Sequence, residues 1–157
     1  MLQQLERLCT NTDGRYATDA ELSFFQDYLR TARLRFSLYQ KIQKLESKLV
    51  QKTLAQLKLT NPNLLMQGNV DMTAKCQRDT VLMLRYTAAS LLIDDPDIFR
   101  DGVLIWLQTI MKSFKTENSY RETYRIIQIV IRQSLTPEEA KLFSPLLEMS
   151  RIFLEDA

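Results

Sequence analysis

The sequence predicts an all-α fold, on three observations. Only three of the 157 residues are glycine and four are proline, fewer than turn-rich β folds use. Apolar residues recur at three- and four-residue spacing through most of the chain. Helix start signals precede two of these segments, at Thr18 and Thr136. With 45% hydrophobic and 25% charged residues, residues 1–157 are expected to form one globular domain.

The N-terminal segment predicts two helices. The apolar face of the first consists of Leu2, Leu5 and Leu8. Residues 11–14 are expected to end this helix, because they are turn formers that finish in a glycine. A second helix begins at Thr18, whose side chain can cap the amide of Glu21 while Glu21 reaches back in a capping box.

Residues 30–58 contain eight basic residues and one acidic residue, Glu46. They run beside an apolar stripe, which predicts a helix with a basic, solvated face. That face includes Lys41, Lys44, Lys48 and Lys52. Clustered basic residues can also bind nucleic acid or an acidic partner. Because the formal net charge is only +2 and no recognition motif is present, we expect no nucleic-acid partner.

Breaker residues divide the middle of the chain. Pro62 cannot continue the helical hydrogen bonding and is expected to stop the basic segment. Gly68 marks a second turn, and the helix that follows should run to about Ile93. The acidic residues of 94–97 suit the start of the next helix.

Three helices are predicted after this acidic turn. The first fades at residues 115–118, and the second spans roughly 120–133. Thr136 caps the last, with Pro137 at its first position and acids in its first turn. The chain is therefore expected to contain about eight helices.

Composition excludes several function classes. Histidine is absent, which rules out His-ligated haem, a Ser-His-Asp hydrolase and a His general base. Three glycines leave no P-loop or dinucleotide fingerprint. Cys9 and Cys76 have no spacing typical of a disulfide framework or a metal site. We expect no enzymatic activity and no metal site. Apolar runs such as 103–107 are too short to cross a bilayer, so a soluble, cytoplasmic protein is expected.

One segment concentrates reactive side chains near the start of a predicted helix. Lys75, Cys76, Arg78 and Asp79 fall within little more than one helical turn. They bring together a thiol, two cations and a carboxylate. Taken alone, Cys76 would be an ordinary core thiol, and Arg78 with Asp79 a surface ion pair of little energetic value.

In context, this segment resembles the chromophore-attachment helix of the phycobiliproteins. Cys76-Gln77-Arg78-Asp79, followed by Leu84-Arg85, is similar to their Cys-x-Arg-Asp and Leu-Arg pattern. Other similar segments occur in the same order, namely Asp13-Gly14-Arg15-Tyr16 with Glu21-Leu22, Leu49-Val50-Gln51-Lys52, Asn61-Pro62 and Gln67-Gly68-Asn69. The resemblance covers nearly the full length. It implies a globin-like fold with an N-terminal helical pair in residues 1–30 and a globin-like body in 31–157.

The resemblance also implies roles for individual residues. Cys76 would form a thioether to the A ring of a linear tetrapyrrole (bilin). Arg78, with Lys75 nearby, would contact the propionates. Asp79 would accept hydrogen bonds from the inner pyrrole N–H groups and favour a protonated bilin.

Inter-subunit contacts are implied as well. Asp13, Tyr16 and Arg85 fall where the family pairs its subunits. The expected partner is a second phycobiliprotein-like chain, in a homodimer or a heterodimer.

Departures from the family pattern separate the functional alternatives. Leu82 and Met83 replace a pair of tyrosines, and Trp106 replaces small residues. An antenna must hold its pigment rigid and dry, so this altered pocket favours an accessory of bilin biosynthesis. Such a protein would bind phycocyanobilin or biliverdin, covalently or reversibly, and work with bilin biosynthesis enzymes.

Two alternatives stay open. The chain could be a divergent light-harvesting subunit of the phycobilisome, with phycocyanobilin thioether-linked at Cys76 and a thylakoid-associated location on the cytoplasmic side. It could also be a pigment-free, globin-like interaction domain, if Trp106, Met83 and their neighbours fill the pocket.

Overall fold

Helices dominate the structure, a computed structural model that describes residues 1–155. The helices in these residues are α1 (Leu2–Asn11), α2 (Asp19–Thr60), α3 (Thr73–Ile93), α4 (96–114), α5 (Glu117–Arg132) and α6 (Pro137–Glu155). A 3-10 turn (Pro62–Leu65) and a short antiparallel hairpin of β1 (Met66–Gln67) and β2 (Val70–Asp71) connect α2 to α3. The all-α prediction is confirmed.

The described residues form six helices and a 3-10 turn, whereas about eight helices were predicted. The main reason is α2, which runs for 42 residues without interruption. No glycine or proline lies between Asp19 and Thr60, so nothing in the chain stops the helix there. It also crosses residue 30, where the predicted N-terminal pair meets the predicted body.

Both predicted capping residues are found in place. Thr18 Oγ1 accepts a hydrogen bond from the Glu21 amide, and the Glu21 carboxylate accepts one from the Thr18 amide. Arg15 and Thr18 together lower the pKa of Glu21 to about 2. Thr136 starts α6 in the same way, through reciprocal hydrogen bonds with Glu139.

Helix α4 changes its winding part-way along. It begins as an α-helical turn (Pro96–Phe99), continues as a π-helix (Arg100–Leu104) and returns to α-helix (Ile105–Phe114). At Gly102, an added Cβ would lie 2.8 Å from Cε1 of Tyr86. Only glycine therefore allows α4 to approach the Tyr86 ring this closely.

The hydrophobic core lies where α2 packs against α3 and α5. Its most buried members include Leu38 and Leu57 of α2, Leu91 of α3 and Ile126 of α5. In α1, all of whose residues are described, none is buried, and the first buried residue of α2 is Arg35. The N-terminal part of the chain therefore lies outside this core.

The predicted basic face of α2 is only partly a solvated surface. Lys44, Lys48 and Lys52 are exposed. Lys41 instead places its Nζ 2.6 Å from Oε2 of Glu139 at the start of α6. This pair links the middle of α2 to the last helix.

Arg35 joins α2 to the C-terminal end of α3. Its Nη1 donates to the carbonyl oxygen of Leu91 at 2.7 Å, and its Nη2 lies 2.9 Å from Oδ1 of Asp94. Its Nε donates to Oγ1 of Thr31 one turn earlier. Asp94 adopts the left-handed conformation (φ 52°, ψ 51°) that terminates α3. The ion pair helps an aspartate occupy a position that usually favours glycine.

The N-terminus contacts the same corner. The amino group of Met1 lies 3.6 Å from Oδ2 of Asp95, and the Gln3 amide donates to that oxygen at 3.3 Å. Tyr28 adds a hydrogen bond from its hydroxyl to the carbonyl oxygen of Leu92. These contacts hold α1 and the start of α2 against the α3–α4 turn.

Replacing Arg35 with methionine should destabilise the protein by about 1.5–3 kcal/mol. Methionine keeps the apolar stem but leaves the buried Leu91 carbonyl and the Asp94 carboxylate without their charged partner. Urea unfolding followed by circular dichroism measures this difference. Arg33→Met is the matched control, because Arg33 is exposed on the same helix, and should change stability by less than about 0.5 kcal/mol. Equal effects of the two variants would contradict the anchoring role.

Candidate functional site

A cleft of about 250 Å³ opens between the first turns of α3 and α5. Helix α3 contributes Lys75, Cys76 and Asp79, and α5 contributes Tyr120 and Tyr124. Its walls are completed by the 3-10 turn, the first strand of the hairpin, Lys115, Thr116, Asn118 and Ser119. The site therefore lies at the opposite end of α3 from Arg35.

Helical spacing determines which side chains face the cleft. On α3, Cys76 and Asp79 are three residues apart and share a face. On α5, Tyr120 and Tyr124 are four residues apart, with Thr123 beside them on the same face. The start of α3 is fixed because the Thr73 amide donates to Oδ1 of Asp71, the last residue of the hairpin. Gly68 at φ 61° makes the tight hairpin turn possible.

Cys76 lies half-buried on the cleft wall. Its Sγ is 3.7 Å from Oγ1 of Thr123 on α5. Burial raises the pKa of the Cys76 thiol, and the Asp79 carboxylate raises it further, against the opposing hydrogen bonds of Thr123 and Thr80. The sulfur is therefore a neutral thiol at pH 7, and a poor nucleophile as long as it keeps its proton.

Asp79 is hydrogen-bonded across the cleft. Its Oδ2 accepts a short hydrogen bond from the hydroxyl of Tyr120. Burial and this hydrogen bond raise the pKa of Tyr120 well above its usual value, so the phenol remains the donor. The interpretation of Arg78 and Asp79 as a surface ion pair requires the two side chains to contact each other. In the described residues no ion pair joins them.

Two buried hydroxyls on the cleft lining have no hydrogen-bond partner among the described residues. They belong to Tyr124 and Thr116. Tyr124 is only 7% exposed, and an unpaired buried hydroxyl costs about 1–3 kcal/mol. Burial, with Tyr120, Asp79 and Cys76 nearby, raises the pKa of Tyr124. Such a hydroxyl completes its hydrogen bonding with an ordered water or with a ligand.

The structure separates the two predicted cations. Lys75 lines the cleft, with its Nζ 4.9 Å from the centre of the Phe114 ring in a cation–π contact. Arg78 is exposed and does not line the cleft. The reason is geometric, because residues two apart on a helix point in nearly opposite directions.

The residues predicted at a subunit interface lie elsewhere. Asp13 and Tyr16 are exposed in the connection between α1 and α2, and the Tyr16 side chain is 98% exposed. Arg85 is exposed on α3, where its guanidinium makes two 2.7 Å hydrogen bonds to the Glu46 carboxylate. These bonds lower the pKa of Glu46. All three side chains are thus accessible, although Arg85 already has a partner within the chain.

Sequence reasoning missed the tyrosines of α5. Neither Tyr120 nor Tyr124 was predicted as a site residue, although both fall in the helix predicted over roughly 120–133. Their spacing with Thr123 was the available signal, since it places three hydroxyls on one face of the helix. Trp106 and Met83 do not fill the cleft as envisaged for a pigment-free domain. Trp106 is 47% exposed on α4, and Met83 is buried in the core.

Comparison with known proteins identifies the family. A family model described as "Phycobilisome protein" matches residues 9–151. The chain belongs to the phycobilisome protein family. The predicted resemblance is confirmed, and the matched range contains the whole of α3 and α5, which form the cleft.

One curated relative is an allophycocyanin subunit. The chain is 28% identical over 136 residues to "Allophycocyanin subunit beta-18" of Aglaothamnion neglectum, which covers 82% of this chain and 78% of the relative. The chain is thus a distant relative of the allophycocyanin beta subunit. The family implies the globin-like phycobiliprotein fold for these helices, and its members are typically non-enzymatic light-harvesting proteins.

Two further properties concern membranes and metals. None of the helices in residues 1–155 is long and apolar enough to cross a membrane. Over the same residues, no group of three or more cysteine, aspartate and glutamate side chains is placed to hold a metal ion.

Cys76 should react much more slowly with iodoacetamide than Cys9, which is exposed. At pH 7.5 we expect a difference of about tenfold or more, because burial limits access and the raised pKa lowers the thiolate fraction. The Cys76 rate should still be rising with pH above about 8.5, the usual thiol pKa. Mass spectrometry of Cys9→Ser and Cys76→Ser variants follows each thiol separately. Equal rates at pH 7.5 would show that Cys76 is neither shielded nor perturbed.

Proposed function

We propose that the chain binds a linear tetrapyrrole, phycocyanobilin or biliverdin, in this cleft as an accessory to bilin biosynthesis or handling. One observation carries the proposal. The cleft brings the Asp79 carboxylate, the Cys76 thiol and the unpartnered hydroxyl of Tyr124 together between two helices. Membership of the phycobilisome protein family, whose members usually carry bilin chromophores, supports the choice of ligand.

The residues of the cleft fit such a ligand chemically. A bilin supplies an extended conjugated ring system with pyrrole N–H donors, lactam carbonyls and two propionates. Asp79 accepts hydrogen bonds from the N–H donors and supplies a counter-charge to a protonated bilin. Lys75 pairs with a propionate at the rim, and Leu64, Met66 and Met72 offer apolar contact to the rings. Tyr124 completes its hydrogen bonding with a ligand carbonyl.

The size of the cleft favours the accessory role over the antenna role. Pockets that enclose drug-sized ligands usually measure about 300–1,000 Å³, and this cleft measures about 250 Å³. A bilin held here is therefore only partly enclosed. Arg78 lies outside the lining and would have to reach over the rim to contact a propionate. Partial enclosure suits a protein that binds and releases its ligand.

A covalent antenna subunit of the phycobilisome is the second candidate, because Cys76 lines the cleft beside Asp79. Attachment would add the Cys76 S–H across the exocyclic double bond of the A ring. The sulfur forms the C–S bond, the proton ends on the pigment and no group leaves. Since the thiol pKa is raised, attachment requires a base or a lyase to remove that proton.

The proposal includes a protein partner. Large apolar side chains are exposed on α1 and the first part of α2, close in sequence to Asp13 and Tyr16. They are Leu2, Phe25, Leu29 and Phe36. A phycobiliprotein-like chain, identical or different, would cover them in a homodimer or heterodimer. We place this assembly in the cytoplasm, next to bilin biosynthesis enzymes in the accessory role, or on the cytoplasmic side of the thylakoid as a phycobilisome subunit.

Co-expression with haem oxygenase and a phycocyanobilin-forming reductase should yield a coloured protein whose pigment leaves in acidic urea. Zinc-enhanced fluorescence on a denaturing gel detects any pigment that remains attached. In the accessory role, wild type and Cys76→Ala both bind reversibly and neither shows a fluorescent band. A band that Cys76→Ala abolishes would establish the antenna role. A colourless protein would contradict both roles and leave a pigment-free interaction domain.

Asp79→Ala should shift the bilin absorption of the purified complex to shorter wavelength and weaken it. The variant removes the carboxylate that stabilises the protonated pigment, so a larger neutral fraction remains. Arg78→Ala is the matched control from the same motif and should have a smaller effect, because Arg78 lies outside the cleft. An unchanged Asp79→Ala spectrum would place the pigment elsewhere.

A further inference from the structure

Tyr120 is hydrogen-bonded to the carboxylate that the proposed ligand needs. Its hydroxyl donates a short hydrogen bond to Oδ2 of Asp79. Tyr120 lies in the first turn of α5, and Asp79 in the second turn of α3, so the hydrogen bond spans the cleft from one helix to the other. With Tyr120 in place, Asp79 has a charge-assisted bond without any ligand.

The Tyr120 side chain also takes up space in the cleft. It lines the cavity together with Tyr124, and the remaining volume of about 250 Å³ is small for a whole tetrapyrrole. Rotation of one aromatic ring away from Asp79 would enlarge the cleft and free the carboxylate at the same time. Rotation about side-chain bonds requires no movement of either helix backbone.

We propose that Tyr120 is a gate that the ligand displaces from Asp79. In the free protein the phenol donates a hydrogen bond to the Asp79 carboxylate. When the ligand binds, its N–H donors replace the phenol, and the Tyr120 ring turns outward. This inference rests on the proposed function, since it assigns a regulating residue to the same site. The exchange replaces one hydrogen bond to Asp79 with others, so the half-buried carboxylate is never left without a donor.

The gate lowers ligand affinity by a predictable route. Only molecules with Tyr120 turned outward can bind fully, so the apparent dissociation constant is the intrinsic one divided by the open fraction. Removing the phenol hydroxyl removes the competitor but keeps the ring. Tyr120→Phe should therefore bind biliverdin about tenfold more tightly, the factor expected for loss of one competing hydrogen bond of modest net strength.

The kinetics should change in parallel. If opening precedes binding, the observed association rate of the parent protein reaches a plateau as the biliverdin concentration rises. In Tyr120→Phe the plateau should move to a higher rate, because the closed state has lost its hydrogen bond. A merely structural role for Tyr120 would not produce this change.

The experiment measures binding of biliverdin, by absorbance titration and stopped flow, in a Cys76→Ala background that prevents covalent attachment. Four proteins form a double-mutant cycle, consisting of the background, Tyr120→Phe, Asp79→Ala and the combination of the two. Tyr28→Phe is the matched control, because its hydroxyl bonds the Leu92 carbonyl away from the cleft. Urea unfolding confirms that each variant is folded.

The proposal expects Tyr120→Phe to tighten binding about tenfold, with less than about a twofold effect once Asp79 is alanine. Tyr28→Phe should leave affinity unchanged. If Tyr120→Phe binds biliverdin and the background protein does not, that result also supports the gate. Equal or weaker binding by Tyr120→Phe, with the background still binding, would overturn the gate but leave the proposed function intact. Absence of binding in all four proteins would overturn the proposed function and the gate together.

Discussion

A buried guanidinium, that of Arg35, connects α2 to the end of α3. It is 8% exposed, and a buried charge is tolerated only with partners. The Leu91 carbonyl, the Asp94 carboxylate and the Thr31 hydroxyl provide them. Because Asp94 terminates α3, Arg35 holds the end of that helix against α2, at the point where the chain turns into α4. The N-terminus contacts the same corner through Asp95.

The first turns of α3 lie at the opposite end of the helix from this corner. Its 21 residues span about 30 Å at 1.5 Å per residue. The cleft therefore lies far from the Arg35 cluster, between the first turns of α3 and α5. Packing of α2 against both helices sets their separation. The distance between Cys76 and Thr123 is a consequence of that packing, since the two residues are remote in sequence.

The cleft combines satisfied and unsatisfied polar groups. Asp79 is paired with Tyr120, whereas the buried hydroxyls of Tyr124 and Thr116 have no partner in the part of the chain described. Unpaired buried hydroxyls lower stability, and proteins retain such arrangements most often at functional sites. A ligand with both donors and acceptors would relieve this cost. The unpaired hydroxyls thus give a physical reason for a polar ligand to bind in the cleft.

Local chemistry made several features predictable from the sequence. The capping residues Thr18 and Thr136, the end of α2 before Pro62 and the end of α3 at Ile93 follow from interactions within a few residues. The family followed in the same way, because ordered short motifs survive in the sequence. The number of helices was overestimated where no breaker separated the proposed pieces of α2.

Interactions between distant residues could be decided only by the tertiary structure. The sequence placed Cys76, Arg78 and Asp79 in one motif, but the orientation of α3 turned Cys76 and Asp79 into the cleft and left Arg78 outside. The partners of Asp79 and Arg35 lie 41 and 56 residues away along the chain. No local pattern specifies such pairs, because they depend on how whole helices pack. Sequence alone therefore determined the all-α class, the helix caps and the family, and packing determined which side chains meet in the site.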